Sequence, residues 1–222
     1  MPSRRTWTVV GGVAALVVVG AVGGPLVYAA LQEDAAPAAT VQAQAPDAPL
    51  TETTDGTWAI DTGSSAGYRV DEVLNGADVT VAGTTDQVSG SVVVDGGDLA
   101  SAEVTVDVAS ITTDSDRRDS YFRDQVMEVG EFPTATFLVE QTADLPELTG
   151  TPVTVPVQGT LTLRGVTQDV TVDLSVVRTA DGVEASGSIP VTFSDFDVTA
   201  PDLGFVSVED AGAVEMFLVL TQ

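Results

Sequence analysis

In Glu103-Val104-Thr105-Val106-Asp107-Val108, three valines fall on one side of an extended chain, with Glu, Thr and Asp on the other. Side chains alternate across a strand but would scatter round a helix at this spacing, so the stretch reads as a half-buried β-strand. The same period of two recurs in Thr160-Leu161-Thr162-Leu163 and in Val170-Thr171-Val172-Asp173-Leu174. Shorter runs of the kind occupy residues 79–81, 92–94, 137–139, 189–193 and 216–220. Asp95-Gly96-Gly97, Leu163-Arg164-Gly165 and Ala180-Asp181-Gly182 stand between such runs as turn signals. Short strands so spaced, apolar on one face, predict an all-β domain, either an antiparallel sandwich or a closed barrel. One helical segment is expected over 114–127, opened by Asp and Ser capping candidates, with Tyr121, Phe122 and Val126 along one side. Residues 56–222 are long enough for one well-buried domain.

Composition narrows the chemistry. The 222 residues hold 33 Asp and Glu against 8 Arg, a formal charge of −25, with no Lys, His or Cys. Without Cys there is no disulfide, thiol nucleophile or zinc–thiolate site. Without His there is no His-assisted serine triad, and without Lys no Schiff base. Carboxylates, hydroxyls and Arg remain, and the composition speaks against an enzyme. Nucleic acid is excluded as a partner by the sign of the field. No cofactor and no metal are implied.

Residues 1–31 read as a signal anchor or a signal peptide. Arg4 and Arg5 precede an uncharged stretch whose residues 7–31 are numerous enough to cross a bilayer as a helix. The positive charges before it, and Glu33 and Asp34 after it, predict a single-pass protein of the cell membrane with its C-terminal domain outside. Val27-Tyr28-Ala29 offers a cleavage site, which would make the product secreted. The length of the apolar run favours a retained anchor. Setting Arg4 and Arg5 aside leaves six Arg against the 33 acids, so the exported part carries −27. Residues 32–55, rich in Ala and Pro, are expected to be a disordered, flexible linker with a reach on the order of 25–30 Å.

Arg117, Arg118 and Arg123 are three of the six exported Arg, gathered in Asp116-Arg117-Arg118-Asp119-Ser120-Tyr121-Phe122-Arg123-Asp124. Arg grips phosphate and carboxylate with two donors at once, so the cluster could clamp an anionic head group. The competing reading pairs these Arg with Asp114, Asp116, Asp119 and Asp124 on a solvated helix. Asp114-Ser115-Asp116 and Asp195-Phe196-Asp197 space their acids as calcium ligands can be spaced, but neither continues into an EF-hand loop.

Several motifs in order resemble the YceI-like family. They are Ser110-Ile111-Thr112-Thr113-Asp114 followed by Arg118-Asp119, then Phe132-Pro133-Thr134-Ala135-Thr136-Phe137, and Gly159-Thr160-Leu161-Thr162-Leu163-Arg164-Gly165-Val166-Thr167. Trp58-Ala59-Ile60-Asp61 near the start and Phe193-Ser194-Asp195-Phe196 near the end extend the resemblance over residues 57–220. It implies an antiparallel eight-stranded lipocalin-like β-barrel with one helix packed against it. It also implies an apolar lumen that binds a long-chain isoprenoid lipid, of polyprenyl or isoprenoid-quinone type. The chain departs from the family where His is usual: Ser64-Ser65, Val70-Asp71 and Ser120-Tyr121 stand there instead.

On that reading the lumen is expected to be lined by Val104, Val106, Val108, Phe137, Leu161, Leu163, Val172, Leu174, Phe193, Phe217 and Val219, with Phe122 from the helix. Arg118 and Arg123 are expected at the mouth. The alternative is a structural or adhesive β domain of the cell envelope whose interior is filled solidly by side chains.

Overall fold

The computed structural model describes residues 34–222; the expected leader, residues 1–31, lies outside them. Among the described residues no helix is long and apolar enough to cross a membrane. Eleven strands form one antiparallel sheet: β1 (Gly56–Ile60), β2 (Ser65–Leu74), β3 (Ala77–Thr85), β4 (Val88–Asp95), β5 (Asp98–Asp107), β6 (Thr134–Val139), β7 (Ala143–Asp144), β8 (Val153–Leu163), β9 (Val166–Arg178), β10 (Val183–Thr192) and β11 (Val206–Thr221). Their order is β1-β4-β5-β6-β8-β9-β10-β11-β2-β3, and β1 also pairs with β11, which closes the sheet on itself. β7 adds only a short pairing to β5.

The eleven strands make eight staves, β6 and β7 lying one after the other along β5. β1 and β2 are successive limbs of one stave, as are β3 and β4, because β1 pairs with β4 while β2 pairs with β3. This is the closed eight-stranded barrel the resemblance implied. Two of its tight turns lie where glycine was read as a turn signal, and a third, at Asn75-Gly76, was not read from the sequence. Arg164 (φ 48°) and Gly165 (φ 76°) join β8 to β9, and Gly96 (φ 63°) and Gly97 (φ 89°) join β4 to β5. Asn75 (φ 51°) and Gly76 (φ 87°) join β2 to β3. Paired left-handed residues match the twist of the flanking strands, which is why Asn and Gly serve there.

The two ends of the barrel differ. One is packed solid around Trp58, Val155, Val157, Leu161, Val172 and Ile189, each at most 2% exposed. Toward the other end β3 parts from β5 and meets only a bridge between Thr84 and Thr112. The helical segment occupies that gap. α1 (Asp116–Tyr121) runs into a single π-helical turn, Phe122–Val126, within the stretch expected to be helical. Val108, Ile111 and Met127 pack it to the barrel.

The expected flexible linker is corrected by the structure. Residues 34–55 are bound along the outside of the barrel. Ala35 N–H donates to Thr80 O at 2.9 Å and Thr80 N–H to Asp34 Oδ1 at 3.0 Å, covering part of the open edge of β3. Farther on, Val41 is 6% exposed and donates its N–H to Ser186 Oγ on β10. Gln44 bonds to Gly150, Thr51 to Thr179, and the Asp55 side chain to the Gly97 N–H. An Ala/Pro-rich segment cannot bury enough surface to fold alone, but it needs no core of its own where a barrel wall supplies one. Val41→Asp should release this strap at a cost of about 1–2 kcal/mol, roughly the burial of one valine. The expected result is protease cleavage confined to residues 34–50 while the barrel stays resistant; equal resistance of strap and barrel in the variant would contradict the described contacts.

Candidate functional site

Above the packed end the barrel is hollow. A cavity of about 730 Å³ opens between α1 and the segment before β11, within the range of roughly 300–1,000 Å³ typical of small-molecule pockets. Alternation along the strands supplies its walls: Tyr68, Val70, Glu72 and Leu74 from β2, Val106 from β5, Leu163 from β8 and Val214 from β11. Small wall residues, among them Ala66, Gly67, Ala135 and Ala213, leave the space unfilled. Phe122 closes one side by stacking on Tyr68, with ring centroids 4.7 Å apart. That stack requires Gly83, since a Cβ there would come within 2.5 Å of the Tyr68 ring. At the rim Tyr121, Leu203 and Phe205 are 38%, 49% and 55% exposed, large apolar side chains left in contact with water.

The residues expected in the lumen divide into three groups. Val106, Val108, Phe122, Leu163 and Phe193 line the cavity. Val104, Phe137, Leu161, Val172 and Leu174 also point inward, but belong to the packed core beneath it. Phe217 and Val219 are corrected: Met216, Leu218 and Leu220 are the inward, buried residues of β11, so the odd positions face outward. Phe217 instead lines a crevice between the barrel and strap residues 34–39. The alternative of a uniformly solid interior therefore describes one end of the barrel and fails at the other.

At the mouth, Arg118 lines the cavity as expected and Arg123 does not. Arg123 reaches only Ser120 Oγ, at 3.4 Å. Arg117, exposed on the rim, takes the place expected for it. Arg118 is held by two acids: its Nη1 donates to Asp114 Oδ1 and its Nη2 to Glu72 Oε1 at 3.4 Å. Asp119 is buried and accepts from the Thr113 N–H at 2.9 Å and the Thr113 hydroxyl at 2.7 Å, tying the approach loop to the helix. The pairing reading of this acidic segment thus holds for Arg118 and Asp114, while Asp119 has a structural task. Burial pushes the Tyr68 hydroxyl up to about 12, with Arg118 opposing and Asp119, Glu72 and Asp114 adding to the shift. Tyr68 is therefore a neutral donor at any physiological pH.

Glu72 and Tyr68 were not anticipated. The signal was present in Tyr68-Arg69-Val70-Asp71-Glu72-Val73-Leu74, where a period of two from Tyr68 to Leu74 places Glu72 among apolar partners. An acid in that position reads as an interruption of the pattern unless the face is followed through it. Among the described residues no group of three or more His, Cys, Asp or Glu is placed to hold a metal ion.

A YceI-like domain model matches residues 58–220. A UPF0312 protein of Enterobacter sp. (strain 638) is 34% identical over 116 residues, covering 48% of this chain and 55% of that protein. The match thus spans about half the length of that relative. Among solved structures, a polyisoprenoid binding domain from Saccharophagus degradans, implicated in plant cell wall breakdown, superimposes with a TM-score of 0.59 at 20% identity, over 74% of this chain and 97% of that one. Burkholderia cenocepacia BcnA gives a TM-score of 0.60 at 24% identity, over 73% of this chain and 99% of that one.

Proposed function

The chain belongs to the YceI-like domain family, and from that premise we propose that it is an extracytoplasmic, non-enzymatic carrier that holds a long isoprenoid lipid in its barrel for storage or transfer. The observation that carries the proposal is the unfilled apolar space of about 730 Å³ at one end of a barrel otherwise packed solid. Protein interiors are close-packed, so a void of this size represents contacts left for another molecule to make. Each Å² of tail removed from water there contributes roughly 25 cal/mol. The polyisoprenoid-binding neighbour with the same fold supports an isoprenoid over other apolar chains. The ionisable groups lining the cavity are Glu72, Arg117, Arg118 and two tyrosines. They suit orienting a head group and include no nucleophile held by a base.

The proposed location rests on the leader read from the sequence. With residues 1–31 as an anchor, the chain reaches the barrel at Asp34, bound to Thr80 near the open end of β3. The β2–β3 turn lies five residues away, and its Asn75 N–H donates to Phe205 O on the rim. Five strand residues span about 16 Å, so Asp34 and the mouth lie toward one end of the barrel. The mouth would then face the bilayer from which its lipid comes.

Native mass spectrometry of the full chain from its own host, followed by solvent extraction, tests the reading. A stoichiometric isoprenoid lipid is the expected result. A protein that arrives empty and takes up no added prenyl alcohol or quinone would overturn it.

A further inference from the structure

We propose, resting on the cavity being a lipid site, that it selects a neutral head group bearing a hydroxyl and rejects a phosphorylated one. Glu72 lines the cavity with its side chain only 6% exposed. Its Oε1 accepts one long bond from Arg118, and its Oε2 accepts none from the described residues. Oε2 is not among the buried unsatisfied atoms of the described residues, so solvent in the cavity reaches it. A lipid that displaces that solvent must bring a donor in its place, and a tail brings none. The head group must therefore supply it.

The charges nearby decide which head group can. Arg118 is the obvious grip for a phosphate, but its guanidinium already serves Asp114 and Glu72, with Thr113 Oγ1 at 3.4 Å from Nη1. A phosphate drawn to Arg118 would lie beside the Glu72 carboxylate and compete with it for its one bond to a cation. Like charges a few ångströms apart in a partly desolvated site repel by several kcal/mol at an effective dielectric near 20. Arg117, on the rim, is the one cavity-lining cation with no ion pair among the described residues, and it stands between Asp116 and Arg118 in sequence. A hydroxyl meets none of this opposition. It donates to Glu72 Oε2 and accepts from an arginine or from the neutral Tyr68 hydroxyl.

The test compares geranylgeraniol with geranylgeranyl monophosphate, identical tails with and without the charge, on the full chain in nanodiscs at pH 7.5. The alcohol should bind at least ten times more tightly. In Glu72→Gln the phosphate should gain ten-fold or more relative to the alcohol. A wild-type protein that prefers the phosphate, or binds the two equally, overturns the inference while leaving the lipid carrier intact. This wild-type ratio decides the matter even where the variant fails to fold. Binding of neither probe to folded protein overturns the carrier reading and the inference together.

Discussion

Val106→Trp should reduce isoprenoid affinity at least thirty-fold while leaving the barrel folded. Val106 faces the cavity from β5, paired to Val88 on one side and Ala135 on the other. An indole placed there projects into space that no side chain occupies, so the fold has little to lose and the ligand's tail loses its volume. The same enlargement at Leu161, one layer deeper and 2% exposed, meets packed neighbours instead. Leu161→Trp should cost about 1–3 kcal/mol of stability by overpacking. Leu163→Trp, also on the cavity wall, repeats the test should Val106→Trp prove hard to produce. Binding titrations and urea midpoints on all three variants check the contrast. Undiminished binding by a folded Val106→Trp protein would place the ligand elsewhere.

The largest loss of stability is expected at the opposite end, from Trp58→Ala. Trp58 is 2% exposed in the main core, and its indole N–H donates to Thr54 O at 2.9 Å. Removing it leaves a cavity and frees the carbonyl that holds the strap's last turn before β1. Large aromatic-to-alanine changes in cores cost about 3–5 kcal/mol, a large share of the roughly 5–15 kcal/mol that holds a domain together. Urea unfolding followed by far-UV circular dichroism reads the change. A shift below 1 kcal/mol would mean that the closed end is not the packed structure described.

Where the sequence speaks in alternation, it was legible. Glu103-Val104-Thr105-Val106-Asp107-Val108 lies in and just beyond β5 with its valines inward, and Gly165 and Gly97 sit in the turns read from them. β11 defeats the method because Met216-Phe217-Leu218-Val219-Leu220 is apolar on both faces. On its outer face Phe217 lines the crevice under the strap and Val219 lies against the loop at Gly63, and nothing local distinguishes such partial cover from burial in a lumen. The strap itself was misread because its composition shows only that it cannot fold alone. The division between solid and hollow ends was not legible either. Valines and leucines fill both, and the difference lies in where the staves part and which walls carry Ala or Gly. Of the mouth, Arg118 was legible from charge clustering, whereas Arg123 shared the cluster but points away from the cavity. Glu72 was hidden by the habit of assigning acids to the outer face.

The strap also sets how the molecule bears tension. A pull on the chain from its N-terminal side arrives first at Asp34 and Ala35, where two hydrogen bonds to Thr80 hold the edge of β3. Once these part, the load passes to Ala36, whose carbonyl accepts from Arg69 Nη2 at 2.7 Å, then to Val41 on Ser186, Gln44 on Gly150 and Thr51 on Thr179. Attachments loaded one after another yield singly, each at low force. Only after the last of them would the strain reach β1 and the ladders that close the barrel. Under such a pull the segment would act as a mechanical fuse, lengthening by its own 22 residues before the ladders of the barrel are strained.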